Sequence, residues 1–147
     1  PRAVPRRALP ARLVGQPARL ALMPHFDAAA AEFGVPADLL KALAWLESGW
    51  QNDKVSSTRA MGIGQLMPAT VEFVNARLLG ARLDPRRADH NIRMSARFLA
   101  YLLRANGGDV AGALASYYQG LASYRRDGAL PQSGQYVANV LALRAKF

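Results

Sequence analysis

Glu47 is an acid set in an apolar run, Leu39-Leu40-Lys41-Ala42-Leu43-Ala44-Trp45-Leu46-Glu47-Ser48-Gly49-Trp50. Withdrawal from water disfavours the charged form of a carboxylate and raises its pKa. An acid that keeps its proton near neutrality is what general-acid catalysis needs. The chain holds only ten acids, and no other lies in so apolar a stretch. The plainer alternative is a glutamate at a helix C-terminus that reaches into solvent.

Three further clusters carry groups suited to ligand binding. In Ala60-Met61-Gly62-Ile63-Gly64-Gln65-Leu66-Met67-Pro68-Ala69-Thr70, a glycine-rich turn can bring backbone donors and the Gln65 amide close to a ligand. It has no lysine and no nucleotide-loop spacing, which sets a phosphate site aside. In Ala113-Leu114-Ala115-Ser116-Tyr117-Tyr118-Gln119-Gly120, paired rings with an amide suit a sugar. Ring faces stack on it while hydroxyls and amides hydrogen-bond. The alternative is that one tyrosine is core and the other solvated. In Tyr136-Val137-Ala138-Asn139-Val140, a helical tyrosine can turn its hydroxyl back into the same cleft.

The elements that must position these groups are helical nearly throughout. Proline and glycine punctuation predicts helices over residues 24–33, 36–49, 68–80, 89–106, 110–118, 121–126 and 133–146. An irregular stretch, 51–65, separates the second from the third. Leu39, Leu43, Leu46 and Trp50 form one apolar stripe. Leu40, Ala44 and Glu47 run beside it, which puts Glu47 at the edge of a buried face. Asp109 is expected to cap the fifth helix, and the last is expected to bury Tyr136, Val140, Leu141 and Phe147. No segment shows a two-residue alternation, so the fold class is all-α.

At 147 residues and 51% hydrophobic composition the chain can bury a core of its own. Residues 1–19, with Pro1, Pro5, Pro10 and Pro17, are expected to be a Pro/Arg-rich arm or linker without helix, and residues 20–147 the folded domain. No apolar run approaches the roughly 18 residues of a membrane span. The chain opens Pro-Arg-Ala-Val-Pro-Arg-Arg, with neither an initiating Met nor a secretory leader, and reads as a processed or excised piece of a longer protein. The net charge of +9 suits a polyanionic partner. The arginines are scattered, however, and no zinc-finger spacing or strong helix-turn-helix signal accompanies them. A basic surface that aids adsorption to an anionic cell-wall polymer is therefore preferred over nucleic-acid recognition. Without cysteine there is no disulfide, thiolate zinc site or cysteine nucleophile. His25 and His90 lie far apart and read as surface or packed residues, so no metal is expected.

In their order and spacing the four clusters resemble the catalytic domain of the soluble lytic transglycosylases, relatives of goose-type lysozyme, over roughly residues 20–147. The family's Glu-Ser pair matches Glu47-Ser48. Its Gly-Leu-Met-Gln stretch and following Met-Pro-x-Thr match residues 62–65 and 67–70. Its Ala-Leu-Ala-x-Tyr-Asn-x-Gly motif matches Ala113 to Gly120, and its closing Tyr-Val matches Tyr136-Val137. Three residues depart from the pattern. Gly64 stands for the usual Met, Tyr118 for the usual Asn, and Gln132 where a Glu often precedes the last tyrosine.

The resemblance implies a lysozyme-like helical domain with a cleft beside the catalytic-Glu helix. It implies non-hydrolytic cleavage of peptidoglycan between N-acetylmuramic acid and N-acetylglucosamine, with 1,6-anhydro-muramyl products. Glu47 would serve first as acid and then as base. The substrate-binding set would be Ser48, Gln65, Met67, Tyr117, Tyr118, Gln119 and Tyr136, with Tyr136 holding the Glu47 carboxyl. No cofactor or metal would be needed, and the protein would act as a monomer on glycan strands, in the cell envelope or secreted. Three rivals remain at this stage: a hydrolytic muramidase with Asp53 as second acid, a silent cell-wall-binding module, and a basic nucleic-acid binder.

Overall fold

The structure, a computed structural model, describes residues 8–147. Two short turns, α1 (Ala11–Val14) and α2 (Pro17–Leu20), lead into α3 (Met23–Phe33) and α4 (Ala37–Ser48). After the irregular stretch come α5 (Pro68–Phe73), which continues as a π-helix (Val74–Leu79), then α6 (Ala88–Ala105), α7 (Val110–Gln119), α8 (Leu121–Asp127) and α9 (Pro131–Arg144). The stretch between α4 and α5 holds only isolated antiparallel bridges, Val55 with Met61 and Met61 with Leu66. The π-helical turn is the main departure from the helix expected over residues 68–80.

Helix α4 forms the centre of the molecule. Leu39, Leu40, Ala42, Leu43 and Ala44 are fully buried, so both stripes read from the sequence lie inside over their first turns, while Leu46 and Glu47 at their C-terminal ends are half-buried. Its neighbours are α9, α3 and α6. Gly49 ends the helix at φ 61°, a left-handed conformation that a side chain disfavours, and its N–H closes the last turn on the Trp45 carbonyl at 2.8 Å. Trp50 then folds beneath α4. Its indole donates to the Lys41 carbonyl at 3.0 Å, and its rings meet Phe26 at 4.5 Å and Phe147 at 5.4 Å. A second apolar group, Leu66, Val74 and Met94, fills the space under α5 with Phe73, Phe98 and Tyr117 around it.

Three expectations need correction. The described part of the predicted arm is not helix-free, for α1 and α2 form between its prolines. Leu13 is wholly buried in the main core, so it docks this stretch onto the domain; residues 1–7 lie outside the described residues. Asp109 sits at the N-cap of α7, just before Val110, but makes no side-chain capping bond. Leu141 is 40% exposed, because its position on α9 falls on the solvent side while Tyr136 and Val140 face α4.

Candidate active site

Glu47 lies one residue before the end of α4, where the helix leaves the core and meets the irregular stretch. Its carboxyl is largely buried but opens into a cavity of about 400 Å³ lined by Leu46, Glu47, Tyr118, Gln132, Gln135, Tyr136 and Asn139. The Tyr136 hydroxyl donates to Glu47 Oε2 at 3.0 Å. Burial pushes the Glu47 pKa from 4.5 up to about 7, against the opposing pull of the Tyr136 hydrogen bond and the Lys54 charge. The Lys54 ammonium itself donates to the Glu47 backbone carbonyl at 2.8 Å. Burial and the neighbouring Glu47 charge hold the Tyr136 hydroxyl well above its ordinary pKa, so it remains a donor. The pair is thus a half-desolvated acid with a fixed neutral donor on one oxygen.

The glycine-rich turn is held by side chains from three helices and the preceding loop. Ser48 Oγ donates to the Ile63 carbonyl at 2.7 Å, and the Ile63 N–H donates to Asn52 Oδ1 at 3.0 Å. The Gly64 N–H donates to Asn91 Oδ1 at 2.8 Å, while Tyr117 Oη donates to the Gly64 carbonyl at 2.7 Å. Asn91 is wholly buried, and its amide nitrogen also donates to the carbonyls of Met61 and Pro85, each at 3.0 Å. Glycine is required at position 64 by crowding. A Cβ there would overlap the Ser95 hydroxyl and stand 2.9 Å from Tyr117 Oη. The departure noted in the sequence is therefore a close approach of three side chains to one backbone unit.

The expected site residues divide. Tyr118 and Tyr136 share the cavity with Glu47, their rings stacked 4.8 Å apart, and Tyr118 is 47% exposed. Gln132, singled out as a departure from the family pattern, also lines it. Gln65 donates its amide to the carbonyls of Gly62 and Lys54 at 2.9 and 3.0 Å, which leaves its oxygen for a ligand. Met67 is 41% exposed at the start of α5. Ser48, Tyr117 and Gln119 differ from expectation. The Ser48 hydroxyl is buried and committed to the turn, and the hydroxyl of the half-buried Tyr117 is committed to it as well. Gln119 spans the loop after α7: it donates to Ser123 and to the Gly128 carbonyl and accepts from the Leu130 N–H. These three support the site from behind.

Asn52, Asn91, Gln135 and Asn139 were not singled out in the sequence. Asn91 carried a usable signal, since it is a polar residue on the buried stripe of α6 that contains Ser95, Leu99 and Leu102. Asp53 lines a different cavity, of about 460 Å³, with Val55, Arg59, Met61, Pro68, Pro85 and Arg86. The two cavities have no lining residue in common. Among the described residues no cluster of three or more His, Cys, Asp or Glu side chains is arranged to hold a metal ion.

Comparison with known proteins agrees with this fold. The family described as the transglycosylase SLT domain matches residues 24–138. The membrane-bound lytic murein transglycosylase F 2 of Alkalilimnicola ehrlichii is 41% identical over 76 residues, which are 52% of this chain and 16% of that protein. Among solved structures, an inactive mutant of the lytic transglycosylase Slt from Pseudomonas aeruginosa superposes with a TM-score of 0.78 at 24% identity, over 85% of this chain and 23% of the other. The 70 kDa soluble lytic transglycosylase from Escherichia coli gives 0.74 at 23% identity, over 82% and 23%. A complex of the 70 kDa soluble lytic transglycosylase with bulgecin A gives 0.76 at 23%, over 85% and 24%. This chain therefore has the fold of the matched segment of those three structures, and it spans less than a quarter of each of the four matched chains.

Proposed function

The chain belongs to the transglycosylase SLT domain family, and from that premise we propose that it is a peptidoglycan lytic transglycosylase with Glu47 as its catalytic acid and base. The observation that carries the reading is that Glu47, protonated up to about pH 7 and hydrogen-bonded to Tyr136, is the only carboxyl residue lining its cavity among the described residues. In the first step Glu47 donates its proton to the glycosidic oxygen as the bond from the muramyl C1 breaks. The resulting carboxylate then removes the proton from the muramyl C6 hydroxyl, whose oxygen closes on C1. One C–O bond replaces another, Glu47 regains its proton, and no water is consumed.

Hydrolysis by the ordinary inverting or retaining route uses a second carboxylate facing the first across the scissile bond. Asp53 lies in the separate cavity beyond the glycine-rich turn, which favours the intramolecular route over the muramidase reading. A silent wall-binding module has no need of a desolvated acid held by a tyrosine, and a nucleic-acid binder has no need of this cavity. Glycan strands in the cell envelope are the natural partner. Among the described residues no helix is long and apolar enough to cross a membrane.

Mass spectrometry of soluble fragments from purified peptidoglycan tests the proposal, with Glu47→Gln as control. Glu47-dependent fragments ending in anhydromuramic acid, each lighter by a water than the hydrolytic product, are expected. Reducing muramic acid ends would make the protein a muramidase, and Glu47-independent release would remove Glu47 from the chemistry.

A further inference from the structure

Lys54 joins the end of the Glu47 helix to the glycine-rich turn. Glu47 lies in the last turn of α4, whose carbonyls have no partner within the helix. The Trp45 carbonyl is met by the Gly49 N–H, and that of Ser48 by the Gln51 side-chain amide. The Glu47 carbonyl is met by the Lys54 ammonium, at 2.8 Å. A cation at a helix C-terminus also faces the negative end of the helix dipole. The main chain that carries the acid is thus held from outside its own helix.

The backbone of Lys54 holds the turn. Its carbonyl accepts from the Gly62 N–H at 2.8 Å and from Gln65 Nε2 at 3.0 Å. Gln65 sits at φ 48°, a left-handed conformation that a residue with a side chain resists. The bonds of its amide to the Lys54 and Gly62 carbonyls keep it there. One residue therefore ties the backbone of the acid to the amide whose oxygen is left for a ligand.

The Lys54 charge also reaches the Glu47 carboxyl, without a hydrogen bond to it, and opposes the effect of burial. The other titratable groups facing that carboxyl are the hydroxyls of Tyr117 and Tyr118 on α7 and of Tyr136 on α9, and none of these is a cation. An acid that gives up its proton and then takes one back needs a proton affinity near the working pH. A neighbouring cation favours the carboxylate, the form that acts as base.

We propose that Lys54 is a positioning residue of the reaction: its ammonium holds the Glu47 end of α4 against the glycine-rich turn and supplies the positive charge that the carboxylate faces while it acts as base. The inference rests on Glu47 being the acid of the proposed reaction and adds a residue that governs it from a distance.

The test replaces Lys54 by Met, which removes the charge, and by Arg, which keeps it; the Lys54 backbone carbonyl remains in both. Carbon-13 NMR follows the titration of the Glu47 carboxyl. In Lys54→Met the midpoint is expected to rise by about half a pH unit, the scale of a solvent-exposed cation's pull. Lys54→Arg is expected to return it to the parent value. Adding salt to about 0.5 M is expected to raise the midpoint of the parent, since the exposed charge is screened, and to leave that of Lys54→Met in place. The alkaline limb of kcat is expected to follow the midpoint with KM unchanged, because Lys54 lines neither cavity. A midpoint that stays put in Lys54→Met, or that Arg does not restore, would overturn the role. So would a fall in kcat at every pH with the limb unmoved, the mark of a merely structural residue. The NMR titration does not involve turnover. Absence of anhydro-ended products would therefore sink the proposed reaction and leave the titration result standing, while an unmoved midpoint in a protein that makes those products would sink the role of Lys54 alone.

Discussion

Replacing Glu47 by Gln is expected to change stability as well as activity, with a pH dependence that the site geometry dictates. Below pH 4.5 the carboxyl is protonated in the folded and unfolded chains alike. Between 4.5 and about 7 the unfolded chain releases the proton and the folded chain keeps it. The unfolded state then binds fewer protons, so stability falls as pH rises through this window. Above about pH 7 both states are ionised and the whole cost of a desolvated charge is present. The displacement from 4.5 to about 7, at about 1.4 kcal/mol for each tenfold change in proton affinity, amounts to about 3 kcal/mol. Gln is neutral, of the same size, and still able to accept from the Tyr136 hydroxyl, so it escapes this cost. The variant and the parent are thus expected to be nearly equal in stability at pH 4, and the variant more stable by about 3 kcal/mol at pH 8. For a domain of this size that gap corresponds to roughly 6–12 °C in Tm. Urea and thermal unfolding of both proteins from pH 4 to 8 measures the difference, and groups common to both cancel. Two parallel stability curves would show that Glu47 titrates in the folded protein as it does in water. The argument from burial would then fail.

Tyr136→Phe removes a donor that favours the carboxylate, so the Glu47 pKa rises further. The alkaline limb of the kcat profile is expected to move up by about one pH unit; an unmoved limb would mean that the bond only orients the acid. Gly64→Ala forces a Cβ into Ser95 and Tyr117 and is expected to cost about 1–3 kcal/mol in urea unfolding. Part of that loss is recovered when Ser95→Gly is added, and a double variant no better than the single would point to backbone strain instead. Ser48→Ala leaves the Ile63 carbonyl without its donor and is expected to cost about 1–2 kcal/mol with little change in KM. Full stability with a raised KM would return Ser48 to the sugar contacts. Asp53→Asn is expected to leave the proportion of anhydro ends unaltered, since its side chain lies outside the Glu47 cavity.

Much of the helix pattern was legible in the sequence because Pro24, Pro36, Pro68, Gly34, Gly49 and Gly80 act locally, on the chain conformation at their own positions. The hydrogen bond between Tyr136 and Glu47 was also expected, on the family resemblance carried by the motifs around the two residues, and it is present at 3.0 Å. The work done by Ser48, Tyr117 and Gln119 was not legible. A hydroxyl or amide has the same composition whether it meets a sugar or a carbonyl of its own chain, and the outcome depends on what the fold brings within 3 Å. Asn52 and Asn91 were missed for a related reason, since their partners lie 11 and 27 residues away. The π-helical turn after Phe73 and the burial of Leu13 follow from tertiary packing that overrides local propensity.

The clamp on the Ile63–Gly64 turn also fixes an order of assembly. Its bonds to Ser48, Asn91 and Tyr117 join residues separated by 15, 27 and 53 positions, and the bond from Tyr136 to Glu47 spans 89. Each closure must first overcome the entropy of the intervening chain, so the long-range ones follow the local helices. During synthesis, which proceeds from the N-terminus, Glu47 emerges long before the tyrosine that holds it. A nascent or partly folded chain thus has the acid but lacks the ring that orients it and the α9 wall of its cavity. The proposed catalytic acid is therefore complete only once α9 docks, among the last events of folding.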